Sequence, residues 1–339
     1  MPSFISSSDR TRPSAITWII CVIVAMAIVG GVELYWRHNG YVPNIRDSSQ
    51  LWSMQRDRVY DSRKIPLVLL GASRIEFDID MKAMKRLLPS YQPIMLAQNA
   101  HYPLAVLRDL ADDERFHGVV LCDLEPSGLY KMYTDSQQPL VDYYRRQWSP
   151  SWRIHRWLLT SWQRHADVAN PDLGAVAILK RAMSGETPPR PDYLRFYADR
   201  SGDLDYTRTD VAAAKRHFAE LVASRKGDLR ADVEPEQWFA DLSDVIDWTH
   251  RIEARGGRVI FLQSPTGGEV TRTEHVRHPP ELYWNRFAAV VPRSLDGLSD
   301  PVLSAFVEPD DSHLDFRDKA AYTSALVNEL VKRGWLQKR

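Results

Sequence analysis

Only two of the 339 residues are cysteine, and that scarcity removes two kinds of site at once. Cys21 falls in an apolar run and Cys122 in a stretch that reads as a core strand. Neither a disulfide framework nor a cysteine-based metal centre can be built from them. A surplus of one charge is also missing: 44 Lys and Arg balance 44 Asp and Glu, for a formal net charge of zero. Nucleic-acid-binding domains ordinarily carry a basic surplus, so nucleic acid is not expected as a partner. No internal repeat, low-complexity segment or phosphate-cradling glycine loop with its lysine is present, and no cofactor or metal is expected. His275 and His278 lie near Glu274 at a ligand-like spacing. Pro279-Pro280 marks that stretch as a loop, and a solvated loop is the expectation.

What is present begins with a long apolar run. Residues 15–32 carry no charged side chain, and extension through Leu34 and Tyr35 reaches the length of about 20 residues that a membrane-spanning helix needs. The reading is a short cytoplasmic segment at 1–14, an anchor at 15–35, and a polar connector at 36–63 with a helix near Ser49–Tyr60. A cleavable leader is the rival, but its apolar part is usually only about 7–15 residues. Arg10 and Arg12 precede the run while Arg37 and Arg46 follow it, so the charge bias is nearly balanced. A long domain after a single anchor translocates largely regardless of its charge, which places the domain on the outer face.

From residue 64 onward short apolar strands alternate with helices. Ile65–Leu70, Pro93–Ala97 and Gly118–Leu124 read as strands, with helices over Phe77–Leu88 and Pro103–Asp112 between them. That alternation predicts a parallel sheet with both faces covered. From about 125 to 240 the strand pattern gives way to an aromatic- and arginine-rich stretch, read as a mostly helical insertion. The alternation then resumes with a helix over Trp238–Arg255, a strand at Arg258–Gln263 and a terminal helix over Asp315–Arg333.

The first strand runs into Gly71-Ala72-Ser73-Arg74, which puts a serine at the carboxyl end of a strand and beside a helix N-terminus. Ligands bind there in open α/β sheets. A serine in such a turn is also an ordinary helix cap. Near the other end, Asp310-Asp311-Ser312-His313 can supply an imidazole and the carboxylate that orients it, which a serine hydroxyl needs to become a nucleophile. The plainer alternative is that these residues cap the last helix and leave His313 exposed.

Together the two segments resemble the SGNH (GDSL-like) hydrolases, whose first block is a Gly-Asp-Ser-like turn and whose last is Asp-x-x-His before the C-terminal helix. The chain also looks like the membrane-anchored branch that includes alginate O-acetylation proteins and the D-alanyl transfer protein of teichoic acids. The resemblance implies a three-layer α/β/α, flavodoxin-like sheet over 64–335, interrupted by the insertion at 125–240. It implies Ser73 as nucleophile, His313 as general base and Asp310 as its orienting partner. It further implies a single-pass protein of the bacterial inner membrane with a periplasmic domain. The substrate would be a carbohydrate or acylated glycan, with a membrane acyl-donor protein as a possible partner.

Two departures from that pattern concern the oxyanion. The family's second-block glycine is matched by the turn Ala97-Gln98-Asn99-Ala100, where the Ala100 N–H and the Asn99 amide are the candidate donors. The third-block asparagine is absent, and Asp123-Leu124-Glu125-Pro126 stands there instead. Removing one oxyanion donor typically costs about 10²–10³ in turnover. A non-catalytic glycan-binding or scaffold protein is therefore the alternative function, and a soluble esterase released by leader cleavage is a third. Arg74 is read either as a ligand for substrate anions or as an ion-pair partner of Glu76, Asp78 or Asp123. The run from Tyr143 to Trp162 suits a membrane interface, sugar stacking or packing onto the α/β core.

Overall fold

The computed structural model describes residues 14–60, 63–187, 191–224 and 233–338. By its contacts the chain divides into two units. One comprises residues up to Asn44 together with Trp162–Pro191; the other comprises Ile45–Ser161 and Asp192–Arg339.

The smaller unit is organised by helix α1 (Ala15–His38), capped by the Ser14 hydroxyl on the Thr17 N–H. It is long and apolar enough to cross a membrane, and its apolar stretch is unburied. At its end Trp36 is buried, and its indole N–H donates to the Leu173 carbonyl at 2.8 Å.

The larger unit starts with α2 (Ser49–Asp57), which belongs to the core rather than to a connector: Leu51 and Trp52 are fully buried. Then come β1 (Ile65–Leu70), α3 (Ser73–Asp78), α4 (Met81–Leu87), β2 (Tyr91–Met95), α5 (Leu104–Asp112) and β3 (Val119–Asp123). Asp80 divides the single helix expected over Phe77–Leu88 into two, because its carboxylate caps the Ala83 N–H at 2.7 Å. The insertion holds α6 (Gln138–Arg146), α7 (Pro150–Gln163), α8 (Ala175–Ser184), which belongs to the smaller unit, a small antiparallel pair β4 (Leu194–Phe196) and β5 (Gly202–Leu204), and α9 (Val211–Ser224). The α/β alternation then returns with α10 (Pro235–Asp241), α11 (Ser243–Ala254), β6 (Arg258–Gln263), α12 (Gly268–Arg277), α13 (Trp284–Val290), β7 (Ser294–Asp296) and α14 (Lys319–Lys332).

The main sheet has the order β2-β1-β3-β6-β7, with every neighbouring pair parallel. Side chains alternate across it. Val68 and Leu70 join one buried cluster with α5 and α11; Leu67 and Leu69 join another with α4 and α14. Each fully buried aliphatic side chain adds about 1.5–3 kcal/mol, so helices on both faces follow from these near-continuous apolar strands. The chain leaves β1 for β2 on one side and then returns to β3 on the other. That reversal is the topological switch point of a doubly wound sheet, and Ser73 follows β1 directly.

Candidate active site

Gly71 makes the turn after β1. Its φ of +152° is one that L side chains rarely adopt, and a Cβ there would lie 2.8 Å from Ile75 Cγ1. The chain can therefore turn sharply enough to place Ser73 as the first residue of α3. The loop before α14 is shaped by Asp310, whose Oδ1 accepts the Ser312 and His313 N–H groups at 2.9 and 2.7 Å. That fold aims the imidazole back across the sheet. His313 Nε2 lies 2.7 Å from Ser73 Oγ, and Nδ1 lies 3.0 Å from Asp310 Oδ2. His313 and Asp310 are buried, whereas Ser73 is half-exposed and can be reached.

Burial by itself would raise the Asp310 carboxyl. The hydrogen bond and charge of His313, with further help from Tyr206 and the Ser312 N–H, outweigh it and hold the group below the usual carboxylate range. An ionised Asp310 can only accept, so the Nδ1 proton points to it and the Nε2 lone pair faces the serine hydroxyl. Ser73, His313 and Asp310 thus form one hydrogen-bonded chain of hydroxyl, imidazole and carboxylate, the order a nucleophile, base and orienter require.

Asn99 and Ala100 sit on a loop bound to the serine turn. The Gln98 N–H donates to the Gly71 carbonyl at 3.1 Å, and the Asn99 N–H donates to Glu76 Oε2 at 2.9 Å. That commits the Asn99 backbone and leaves its exposed side chain and the Ala100 N–H as the donors of this loop. Ala100 holds φ +62°, a left-handed conformation that costs a non-glycine residue about 1–2 kcal/mol. Gln137 stitches the arrangement together: its buried amide donates to both the Gly71 and His101 carbonyls, at 3.1 and 3.0 Å.

Glu125, just beyond β3, does not stand as a bare charge. Arg74 pairs with it at 2.9 Å, and the Tyr102 and Ser127 hydroxyls donate to its other oxygen at 2.9 and 3.0 Å. Burial lowers the affinity of Arg74 for its proton, but Glu125 and Asp123 outweigh this and the guanidinium is held more firmly charged. Among the three carboxylates expected to pair with Arg74, none forms its ion pair; Glu125 does.

No protein-family model matches the chain, and no curated protein matches it either.

The insertion supplies residues that no motif announces. The Phe218 ring of α9 lies 5.0 Å from the His313 ring, and Lys215 of the same helix pairs with Asp311 at 2.8 Å. Arg200, also in the left-handed region and fully buried, forks onto Asp47 at 2.6 and 2.8 Å. It also donates to the Ala97 carbonyl at 2.7 Å and lies 3.5 Å from Glu76. The Thr266-Gly267-Gly268 segment is fixed to the histidine loop. The Gly267 N–H donates to the Asp311 carbonyl at 3.0 Å, and a Cβ on Gly268 would overlap the Asp311 carboxylate.

The expectation of a solvated loop at His275 and His278 is overturned. His275 lies on α12, and His278 is buried between Tyr130 Oη at 2.6 Å and Glu274 Oε2 at 3.1 Å. The prolines follow the helix instead of dissolving it, so the histidine can turn inward against the tyrosine. The aromatic run divides too. Tyr144 packs against the Trp52 ring and the Trp148 indole donates to Asp57, whereas Trp152, Ile154, Trp157 and Trp162 are exposed.

Glu308, two residues before Asp310, is a buried carboxyl with an unpaired Oε1. Burial pushes its pKa up to about 7, against a pull from Arg74. The unfolded chain releases this proton first, so stability that is full below about pH 4.5 is lost as pH rises through 7. Glu308→Gln is expected to raise unfolding free energy by about 1–3 kcal/mol at pH 8 and to change little at pH 4. Urea unfolding at the two pH values checks this; an equal effect at both would refute the buried neutral carboxyl.

Proposed function

We propose that the chain is a membrane-anchored, extracytoplasmic serine esterase or O-acyltransferase of the SGNH type, acting on acyl groups of a cell-envelope polysaccharide, with acetyl the favoured group. The observation that carries the chemistry is the 2.7 Å approach of Ser73 Oγ to His313 Nε2, with Asp310 on the opposite nitrogen. In the acylation half-reaction His313 takes the Ser73 proton as Oγ attacks the ester carbonyl. The collapsing intermediate expels the alcohol, which receives that proton from His313. In the second half-reaction water or a sugar hydroxyl repeats the sequence on the acyl-serine, regenerating Ser73. The Ser73 N–H, at a helix start where backbone donors lack intrahelical acceptors, and the Ala100 N–H are the donors we assign to the oxyanion. We assign Arg74, bound to Glu125, the task of keeping that carboxylate from opposing the developing charge.

The membrane part of the proposal rests on α1, which has the length and composition of a single-pass anchor. A membrane acyl-donor protein would be the natural partner of the transferase version, since the anchor holds the domain at that surface.

Labelling with a fluorophosphonate probe tests the proposal. Wild type is expected to label, and both Ser73→Ala and His313→Ala are expected to lose the label while their circular dichroism is unchanged. A folded wild-type domain that does not label would sink the catalytic reading and leave the glycan-binding or scaffold role.

A further inference from the structure

Helix α8 has an uneven distribution of side chains. Val176, Ile178, Leu179, Ala182 and Met183 cover a continuous arc of its circumference, and Lys180, Arg181 and Ser184 lie opposite. One part of that apolar arc is turned toward α1; the rest, at Val176, Leu179 and Met183, is exposed. An amphipathic helix with basic residues on its polar side suits the boundary between lipid headgroups and acyl chains.

Between α8 and the end of α1 runs a cavity of about 420 Å³. Gly31, Val32 and Trp36 line it from α1 and Ile178 and Ala182 from α8, with Arg181 and Glu186 as its charged lining. The volume falls within the roughly 300–1,000 Å³ of small-molecule sites. The α1 wall is opened by glycine: nothing lies within 4 Å of a Cβ added at Gly31. The missing side chain leaves a notch in this wall that a methyl alone would not fill, whereas a larger side chain would. With 24 residues, α1 is about 36 Å long, somewhat more than the roughly 30 Å hydrocarbon layer. Residues 31–36 would then lie where the helix leaves the acyl chains, which puts the groove within reach of a lipid.

We propose that the groove between α1 and α8 holds one acyl chain of a membrane glycerophospholipid, with the headgroup phosphate on Arg181. The Arg181 guanidinium gives one N–H to the Asp172 carbonyl at 2.6 Å, and its planar fork has further donors for phosphate. The inference rests on α1 spanning the membrane and not on the chemistry at Ser73.

The test uses the full chain, extracted in mild detergent and examined by native mass spectrometry with and without added palmitoyl-oleoyl phosphatidylethanolamine. Wild type is expected to retain one phospholipid. Gly31→Leu, which fills the notch, and Ala182→Phe, which fills it from the other wall, are each expected to lower the lipid-bound fraction at least tenfold. Gly30→Leu, beside the groove but not lining it, is expected to retain lipid, and Arg181→Gln to lose it several-fold. Lipid-free wild type, or filled-groove variants that bind as wild type does, would overturn the site. Release of the chain from membranes by alkaline carbonate would overturn the anchor and the site together. Neither result bears on Ser73 labelling.

Discussion

Ser73→Ala is expected to lower hydrolysis of an activated ester such as 4-nitrophenyl acetate by about 10⁴-fold or more. The substitution removes one half-exposed hydroxyl that is hydrogen-bonded to His313 Nε2, so the unfolding free energy is expected to move by less than about 1 kcal/mol. His313→Ala should fall by a similar factor, and the double variant no further, since groups that act as a unit are not additive. Asp310→Asn should also lose activity, because a carboxamide can donate to Nδ1 and favour the wrong tautomer. The lowered carboxyl of Asp310 contributes stability that is present above its ordinary pKa near 3.8 and disappears as pH falls through the lower folded value. The constellation should therefore persist in mild acid. Steady-state rates with matched melting curves check all four variants; Ser73→Ala within tenfold of wild type would refute a nucleophilic role.

Arg200→Met is expected to destabilise the larger unit by about 3–5 kcal/mol, the usual penalty for removing one member of a buried charge cluster. The guanidinium is fully buried, forks onto Asp47 and supports the Ala97 carbonyl at the start of the loop that carries Asn99 and Ala100. Its loss also removes from Glu76 the cation that lies 3.5 Å away and draws its pKa down. Burial already pushes Glu76 up to about 8 despite the pull of Arg200. The penalty should therefore be nearly constant from pH 5 to pH 7 and grow as pH rises through 8, where that carboxyl ionises beside Arg200 in the wild type but not in the variant. Urea unfolding across this range measures both effects, and a loss below about 1 kcal/mol at pH 8 would show that Arg200 is dispensable.

Ser73, Asp310 and His313 were legible because each lies in a short segment whose local chemistry is unusual: a small-residue turn after an apolar strand, and an Asp-x-x-His before a helix. The sheet was legible for a similar reason, since β1, β3 and β6 are runs of buried aliphatics bounded by turn residues. β7 was not, because three residues at a sheet edge carry no periodicity. Gln137 and Arg200 were invisible for a different reason. Their roles depend on which distant carbonyls they meet, at sequence separations of 66 and 103 residues, and nothing in their own surroundings encodes that. His278 was misread because its prolines dominate the local signal while Tyr130, which determines its burial, lies 148 residues away.

The 240 residues between Ser73 and His313 also fix an order in time. Ribosomes extend a chain at about 5–20 residues per second, so the serine exists for roughly 10–50 s before the histidine is made. Throughout that interval Ser73 is an ordinary alcohol, on a segment that cannot yet deprotonate it. A reactive centre of the kind proposed here would thus be latent during synthesis and would form only when the loop carrying His313 arrives. A nascent chain of this protein stalled anywhere before His313 should be chemically silent.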